Sequence, residues 1–180
     1  MATTTPVRIS PDEYRHTSYR PDCAYVEGVI EERILGEFDH SAVQETLLEW
    51  FRSHRSEWGL RAYPELSIQV SPTRYRVADI CVIANSAPRE QIILTPPVAI
   101  VEVLSPDDRV SRYLDRLEDY RRMGVRNVWV IDPAGRIGFD FSSGGWVETT
   151  SFTDATTGLR LDLAALFASI DDALGDPGPR

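Results

Sequence analysis

Apolar residues recur along this chain in two rhythms. Between His40 and Trp58, residues Val43, Leu47, Trp50, Phe51 and Trp58 lie near helical spacing. That spacing predicts a helix with one apolar face, with Asp39 able to cap its start and Gly59 ending it. A second helix is predicted in RVSRYLDRLEDYRRMG, where Val110, Tyr113, Leu114, Leu117, Tyr120 and Met123 share a side. Asp107 or Asp108 can cap it, and Gly124 stops it. A short helix opens at Ser10-Pro11-Asp12-Glu13, which joins a capping serine, a first-turn proline and a glutamate three residues on. Pro21 keeps it short.

The other rhythm is that of strands. AYVEGVIEERIL predicts a hairpin turning near Glu27-Gly28. LRAYPELSIQV and YRVADICVI follow, separated by the turn signal Ser71-Pro72-Thr73. Ser86 to Pro97 is expected to be a loop with a short apolar piece. PPVAIVEVLS and VRNVWVIDP are buried strands, RIGFDFSSGGWVETTSF is a hairpin with a glycine-rich turn, and LRLDLAALFASI is a strand with a short helix. Residues 171–180 are expected to fray. Residues 1–170 then form a single α/β domain with a strand-strand-strand-helix-strand centre, and no internal repeat.

Composition narrows the picture. The 180 residues are 42% hydrophobic and 26% charged, enough for one globular domain with a core. No apolar stretch approaches the roughly 18 residues of a membrane span. The start, MATTTPVRISPDEY, lacks the basic end and apolar centre of a signal peptide. Cys23 and Cys81 are too few for a disulfide framework, so the expectation is a cytoplasmic protein without a membrane association. Every one of the 19 basic residues is arginine, which excludes mechanisms that need a lysine amine. The net charge of -9 opposes long-range attraction to nucleic acid.

Most chemistry-bearing residues have structural readings. No His/Cys cluster has zinc spacing. His16 and His54 are expected at the surface, Cys81 in the core, and Asp107-Asp108 at a helix cap. Arg121, Arg122 and Arg126 suit a solvated helix end. Trp50, Trp58 and Trp129 are expected in the core, with Trp146 exposed beside Gly144-Gly145. Two acids resist this treatment: Asp79 in VADICVI and Glu102 in AIVEVLS, each framed by apolar residues of a strand. An unpaired buried carboxylate costs several kcal/mol or takes up a proton. Either the two acids pair with arginines at the sheet edge, or they stand at a cleft and share a divalent cation such as Mg2+.

The segments YVEGVIEE, the helix opening at His40, YPELSIQV, VADICVI, PPVAIVEVLSPDDR, LEDYRRMGVRNVWVIDP and the closing aromatic hairpin come in a telling order. Together, over residues 10 to 152, they resemble the Uma-type restriction endonuclease family of the PD-(D/E)XK nuclease superfamily. The resemblance implies a restriction-endonuclease-like mixed β-sheet flanked by helices, here with added N-terminal and C-terminal β-hairpins. It implies Mg2+- or Mn2+-dependent hydrolysis of phosphodiester bonds, with DNA as the substrate. Asp79 and Glu102 match the two acids that would hold the metal and place the attacking water. Glu65, in YPEL, matches a third acid that could complete the metal site, and His40 a histidine lining the same cleft.

Two positions depart from the family's pattern. Ala78 stands where the proline of the first half-motif is expected. Leu104 stands two residues after Glu102, where the superfamily lysine normally lies; in this family a lysine often comes from the next helix, four residues before the tyrosine. Counting back from Tyr120 reaches Arg116. An arginine stays charged and can stabilise a pentavalent phosphate, but with a pKa above about 12 it shuttles protons poorly. A DNA-cutting chain of charge -9 must also gather positive potential on one surface, with Arg74, Arg76, Arg109, Arg112 and Arg116 as candidates, or assemble as a homodimer. The alternative is a catalytically inactive nuclease-fold protein that serves as a binding or dimerisation module.

Overall fold

Apolar runs that alternate or persist for five residues or more become strands, and the 3.6-residue patterns become helices. The computed structural model describes residues 8–19, 23–32, 37–105 and 110–175. In chain order its elements are α1 (Pro11–His16), β1 (Cys23–Val26), β2 (Val29–Glu32), α2 (Phe38–Ser53), α3 (Arg55–Trp58), β3 (Leu60–Ser71), β4 (Arg74–Ala84) and β5 (Ala99–Val103). There follow α4 (Val110–Met123), β6 (Asn127–Asp132), β7 (Ile137–Asp140), β8 (Val147–Thr149), β9 (Ser151–Asp154), β10 (Leu159–Asp162) and α5 (Leu163–Leu174).

β2, β1, β4, β5, β6, β7 and β8 are neighbours in that order in one mixed sheet, and β3 completes its eight strands by pairing with β4. β5 and β6 run parallel, with α4 as the crossover that a parallel pair needs. Helices cover both faces. Leu47 and Phe51 of α2 and Leu166 and Phe167 of α5 pack on Ile80, Val82, Val101 and Trp129. Tyr113, Leu117 and Tyr120 of α4 pack on Cys81, Ile100 and Val130 across the sheet.

Local chemistry accounts for several boundaries and corrects others. Ser10 caps α1 by accepting from the Glu13 N–H at 3.1 Å, as its sequence suggested. The long helix starts earlier than expected: Glu37 occupies the cap position without a side-chain bond, and Asp39 lies in the first turn, where its charge suits the helix dipole. It also breaks at His54 before resuming as α3. Gly59 closes that turn at φ 65°, a left-handed conformation that glycine adopts without a Cβ clash. The expected C-terminal hairpin divides, because Ser151–Asp154 leave the main sheet to pair with β10. α5 continues to Leu174, into the stretch expected to fray. The expected cap residues Asp107 and Asp108 lie outside the described residues. Among the described residues, no helix is long and apolar enough to cross a membrane.

The feature that positions the site is a break in the side-chain alternation of β4, at a point where the β3–β4 register is unbroken. β3 pairs along β4, while the opposite edge is shared by β1 at Arg74–Tyr75 and β5 at Ile80–Val82. Ala78 and Cys81 both face the α4 side although three residues apart, so strict alternation fails between them. Across the hairpin, Glu65 has φ 53°, rare for a residue with a Cβ. Asp79 sits at this break, between the two partners of its strand edge.

Candidate active site

Asp79 and Glu102 come from adjacent strands. Pairing of Ile80 with Val101 sets Asp79 opposite Glu102 one step along. Their exposures are 2% and 0%, so both carboxylates must find partners within the protein. Asp79 Oδ2 accepts from the Val103 backbone N–H at 2.8 Å, a donor that β5 leaves open where its pairing with β4 ends. Its Oδ1 lies 3.7 Å from His40 Nε2, at the start of α2. Gln44, one helical turn after His40, donates to the Asp79 carbonyl at 3.2 Å. His40 Nδ1 in turn lies 3.2 Å from Ser105 Oγ, just beyond β5.

Glu102 points to the other helix. Arg116 Nη1 donates to its Oε2 and the Tyr120 hydroxyl to its Oε1, each at 2.8 Å. Arg116 and Tyr120 are four residues apart, so α4 presents both on one face. The Arg116 guanidinium also stands over the Tyr113 ring, 5.4 Å from its centre. Leu104, at the superfamily lysine position, packs with the α4-side core. The cation beside the acids therefore comes from the helix.

The electrostatics are unbalanced. Burial, and then the neighbouring Asp79, push Glu102 above the usual glutamate range, although Arg116 and Tyr120 pull the other way. Burial lowers the proton affinity of Arg116, but Glu102, Tyr120 and Asp79 outweigh it and hold the guanidinium charged. The Tyr120 phenol is pushed well above its ordinary value, by burial first and then by Glu102. Tyr120 is thus a donor at any ordinary pH. Two carboxylates lie close together beside one guanidinium and the His40 imidazole, and their oxygen donors suit a hard divalent cation. Each Glu102 oxygen accepts one bond and retains a lone pair beyond it.

Glu65 is placed differently. It lies opposite Asp79 in the β3–β4 register, is exposed, and lines a cavity with α1. Among the described residues, no three or more His, Cys, Asp or Glu side chains form a cluster arranged to hold a metal. Asp79 and Glu102 are the acids that could hold one, with waters completing its shell, as Mg2+ favours.

Two of the arginines considered for DNA contact have another task. Arg76, 1% exposed, donates to Asp119, Glu31 and Asp115, each at 2.7 Å. Arg74 bonds the same Asp115 and Asp119. They tie β4 to α4 and, through Glu31, to β2, so their charge is committed to the fold. Arg112 is exposed, while Arg109 lies outside the described residues. His54, expected at the surface, stacks between Trp50 and Trp58. Cys81 is fully buried, which pushes its thiol up to about 12.

Sequence reasoning treated Tyr120 as core and did not single out Gln44 or Ser105. Tyr120 carried a usable signal: a buried tyrosine needs a hydroxyl partner, and its spacing from Arg116 puts both on one face. Gln44 and Ser105 carried none, since their contacts cross between elements far apart in sequence.

The family model described as "Uma2: Putative restriction endonuclease" matches residues 7–166. The crystal structure of a "putative nuclease belonging to DUF820 from Anabaena variabilis" superposes with a TM-score of 0.78 at 24% identity, covering 90% of this chain and 99% of that one. That likeness shows the fold. The DrdV–DNA complex aligns with a TM-score of 0.42 at 16% identity, over 77% of this chain and 11% of its own. No curated protein matches the chain.

Proposed function

The chain belongs to the Uma2 restriction endonuclease family, and from that premise we propose that it is a metal-dependent endonuclease that hydrolyses phosphodiester bonds in DNA, with Mg2+ or Mn2+ as its cofactor. The observation that carries this reading is the burial of Asp79 and Glu102 on adjacent strands, close enough that Asp79 raises the proton affinity of Glu102 against the pull of Arg116. Two acids buried side by side repel one another, and a bound cation relieves that repulsion.

Asp79 and Glu102 would hold the ion. When bound, it polarises a phosphoryl oxygen and lowers the pKa of a coordinated water. The Val103 N–H and His40 fix Asp79, so its carboxylate keeps one direction. Tyr120 does the same for Glu102. Arg116 stays charged, and its remaining N–H groups can meet negative charge developing on the phosphate. It holds its protons too tightly to act as a general acid. Protonation of the leaving oxygen is left to water.

An acidic chain must concentrate its contacts to hold a polyanion, and a homodimer, which would enlarge the contact surface, is part of this proposal. Light scattering that shows a monomer at micromolar concentration would count against it. A second reading has its own support: Glu102 already has a partner on each oxygen, as in a closed structural pair, and the net charge is -9. That reading is a nuclease-fold binding module without catalysis. Plasmid nicking at low salt with Mg2+ or Mn2+, alongside calorimetric metal titration, separates them. Nicking and metal uptake that both vanish in Asp79→Asn and Glu102→Gln support the nuclease; a wild-type protein that neither takes up metal nor nicks supports the module.

A further inference from the structure

A stack of tyrosines runs beneath the N-terminal helix, and the acidic site makes no use of it. Tyr25 and Tyr14 lie 5.1 Å apart at 26°, and Tyr14 and Tyr19 lie 5.6 Å apart at 23°. Tyr14 is buried and its hydroxyl donates to the Cys23 carbonyl at 2.7 Å, so the middle of the stack is fixed. Tyr19 is its outer ring and is only half-buried. The stack ends at a cavity of about 430 Å³ whose walls include Tyr14, Tyr19, His16, Ser67, Val77 and Glu65. That size lies within the range of small-molecule sites, roughly 300–1,000 Å³.

The cavity adjoins the candidate active site through backbone. Val77 lies two residues before Asp79 on β4, and Glu65 lies opposite Asp79 on β3, in the left-handed conformation. Strain of this kind costs of order 1–3 kcal/mol and persists where surrounding structure holds it for a purpose. Here it accompanies a carboxylate on the cavity wall.

We propose that this cavity takes a nucleobase of the substrate strand, stacked on Tyr19 as the next ring of the tyrosine stack. The ligand class rests on the nuclease reading. Every base has a π-face, so such a platform holds single-stranded nucleic acid without regard to sequence. Glu65 adds a preference, because a carboxylate accepts from the exocyclic amino group of cytosine or adenine and repels a carbonyl at that place. Arg15, on the same wall, is paired with the exposed Asp12 at 2.9 Å and would have to exchange that partner to meet the adjoining phosphate.

The test is binding of a short fluorescein-labelled single-stranded deoxyoligonucleotide, followed by anisotropy in EDTA so that no cleavage intervenes. Tyr19→Ala is expected to weaken binding by about 5- to 150-fold, the range that one base–aromatic stack supplies. Tyr19→Trp should restore or tighten it, which separates stacking from damage to the fold. Glu65→Gln should reduce any preference for oligo-dC over oligo-dT. Equal affinity in wild type and Tyr19→Ala overturns the inference, as does wild type that binds no oligonucleotide. If binding ignores Tyr19 while metal-dependent nicking still requires Glu102, the platform fails and the nuclease stands. If binding follows Tyr19 but no metal is taken up, the platform stands and the nuclease fails.

Discussion

Replacing Glu102 with Gln tests whether its carboxylate is there for a ligand or for the fold. The amide keeps the shape: its oxygen can accept from Arg116 and its nitrogen can donate to the Tyr120 hydroxyl. It therefore imitates the protonated acid. The folded protein holds that proton more tightly than the ordinary value of 4.5, because burial and Asp79 outweigh Arg116 and Tyr120. Each tenfold excess in proton affinity makes the ionised form costlier by about 1.4 kcal/mol in the folded state. At acid pH the side chain is protonated in folded and unfolded chains alike, and wild type and Glu102→Gln should match. As pH rises above 4.5 the unfolded chain ionises first, so wild type loses stability that the variant keeps. Urea melts of the metal-free proteins across pH 4 to 8 should show the variant gaining as pH rises, until the folded wild type has also ionised. Excess Mg2+ should then stabilise wild type alone, by about 2.7 kcal/mol at a hundred times its Kd. A variant less stable than wild type at neutral pH, with the gap closing in acid, would refute the reasoning. That sign belongs to a carboxylate the fold prefers ionised, a structural pair.

Other expectations are simpler to check. Arg116→Ala should lower plasmid nicking by roughly a hundredfold or more, the loss typical of a transition-state donor, while Arg116→Lys should retain or raise it; inert wild type and Lys variants that still bind metal would remove substitution as the obstacle. Arg76→Met takes from Asp119, 4% exposed, one of its two arginines and leaves it Arg74, so it should cost about 1.5–3 kcal/mol in a denaturant melt, the worth of a hydrogen bond to a charged group. A loss below about 1 kcal/mol would mean that solvent reaches the network. Burial holds the Cys81 thiol up to about 12, so it should resist a thiol reagent at pH 8 until the protein unfolds; rapid labelling of Cys81 in the native state would contradict its placement.

The sequence by itself determined the order of elements and marked the two acids buried among them. Apolar periodicity marks strands and helices because each must bury one face, and that demand is local. A carboxylate inside such a run stands out for the same reason, which is why Asp79 and Glu102 were legible before any fold was known. The spacing between Arg116 and Tyr120 could also be read, since four residues return a helix to one face. Pairings across the molecule could not. Nothing near Arg76 in sequence says that its partners lie on β2 and α4 rather than on DNA, because a salt bridge depends on which surfaces meet. The break in alternation along β4 was equally hidden. It depends on one strand edge being shared by β1 and β5 and on the turn of backbone at Glu65. Only the tertiary structure put Glu65 on the α1 cavity and Tyr120 on Glu102, since a side chain's direction at a break in alternation is set by what packs around it.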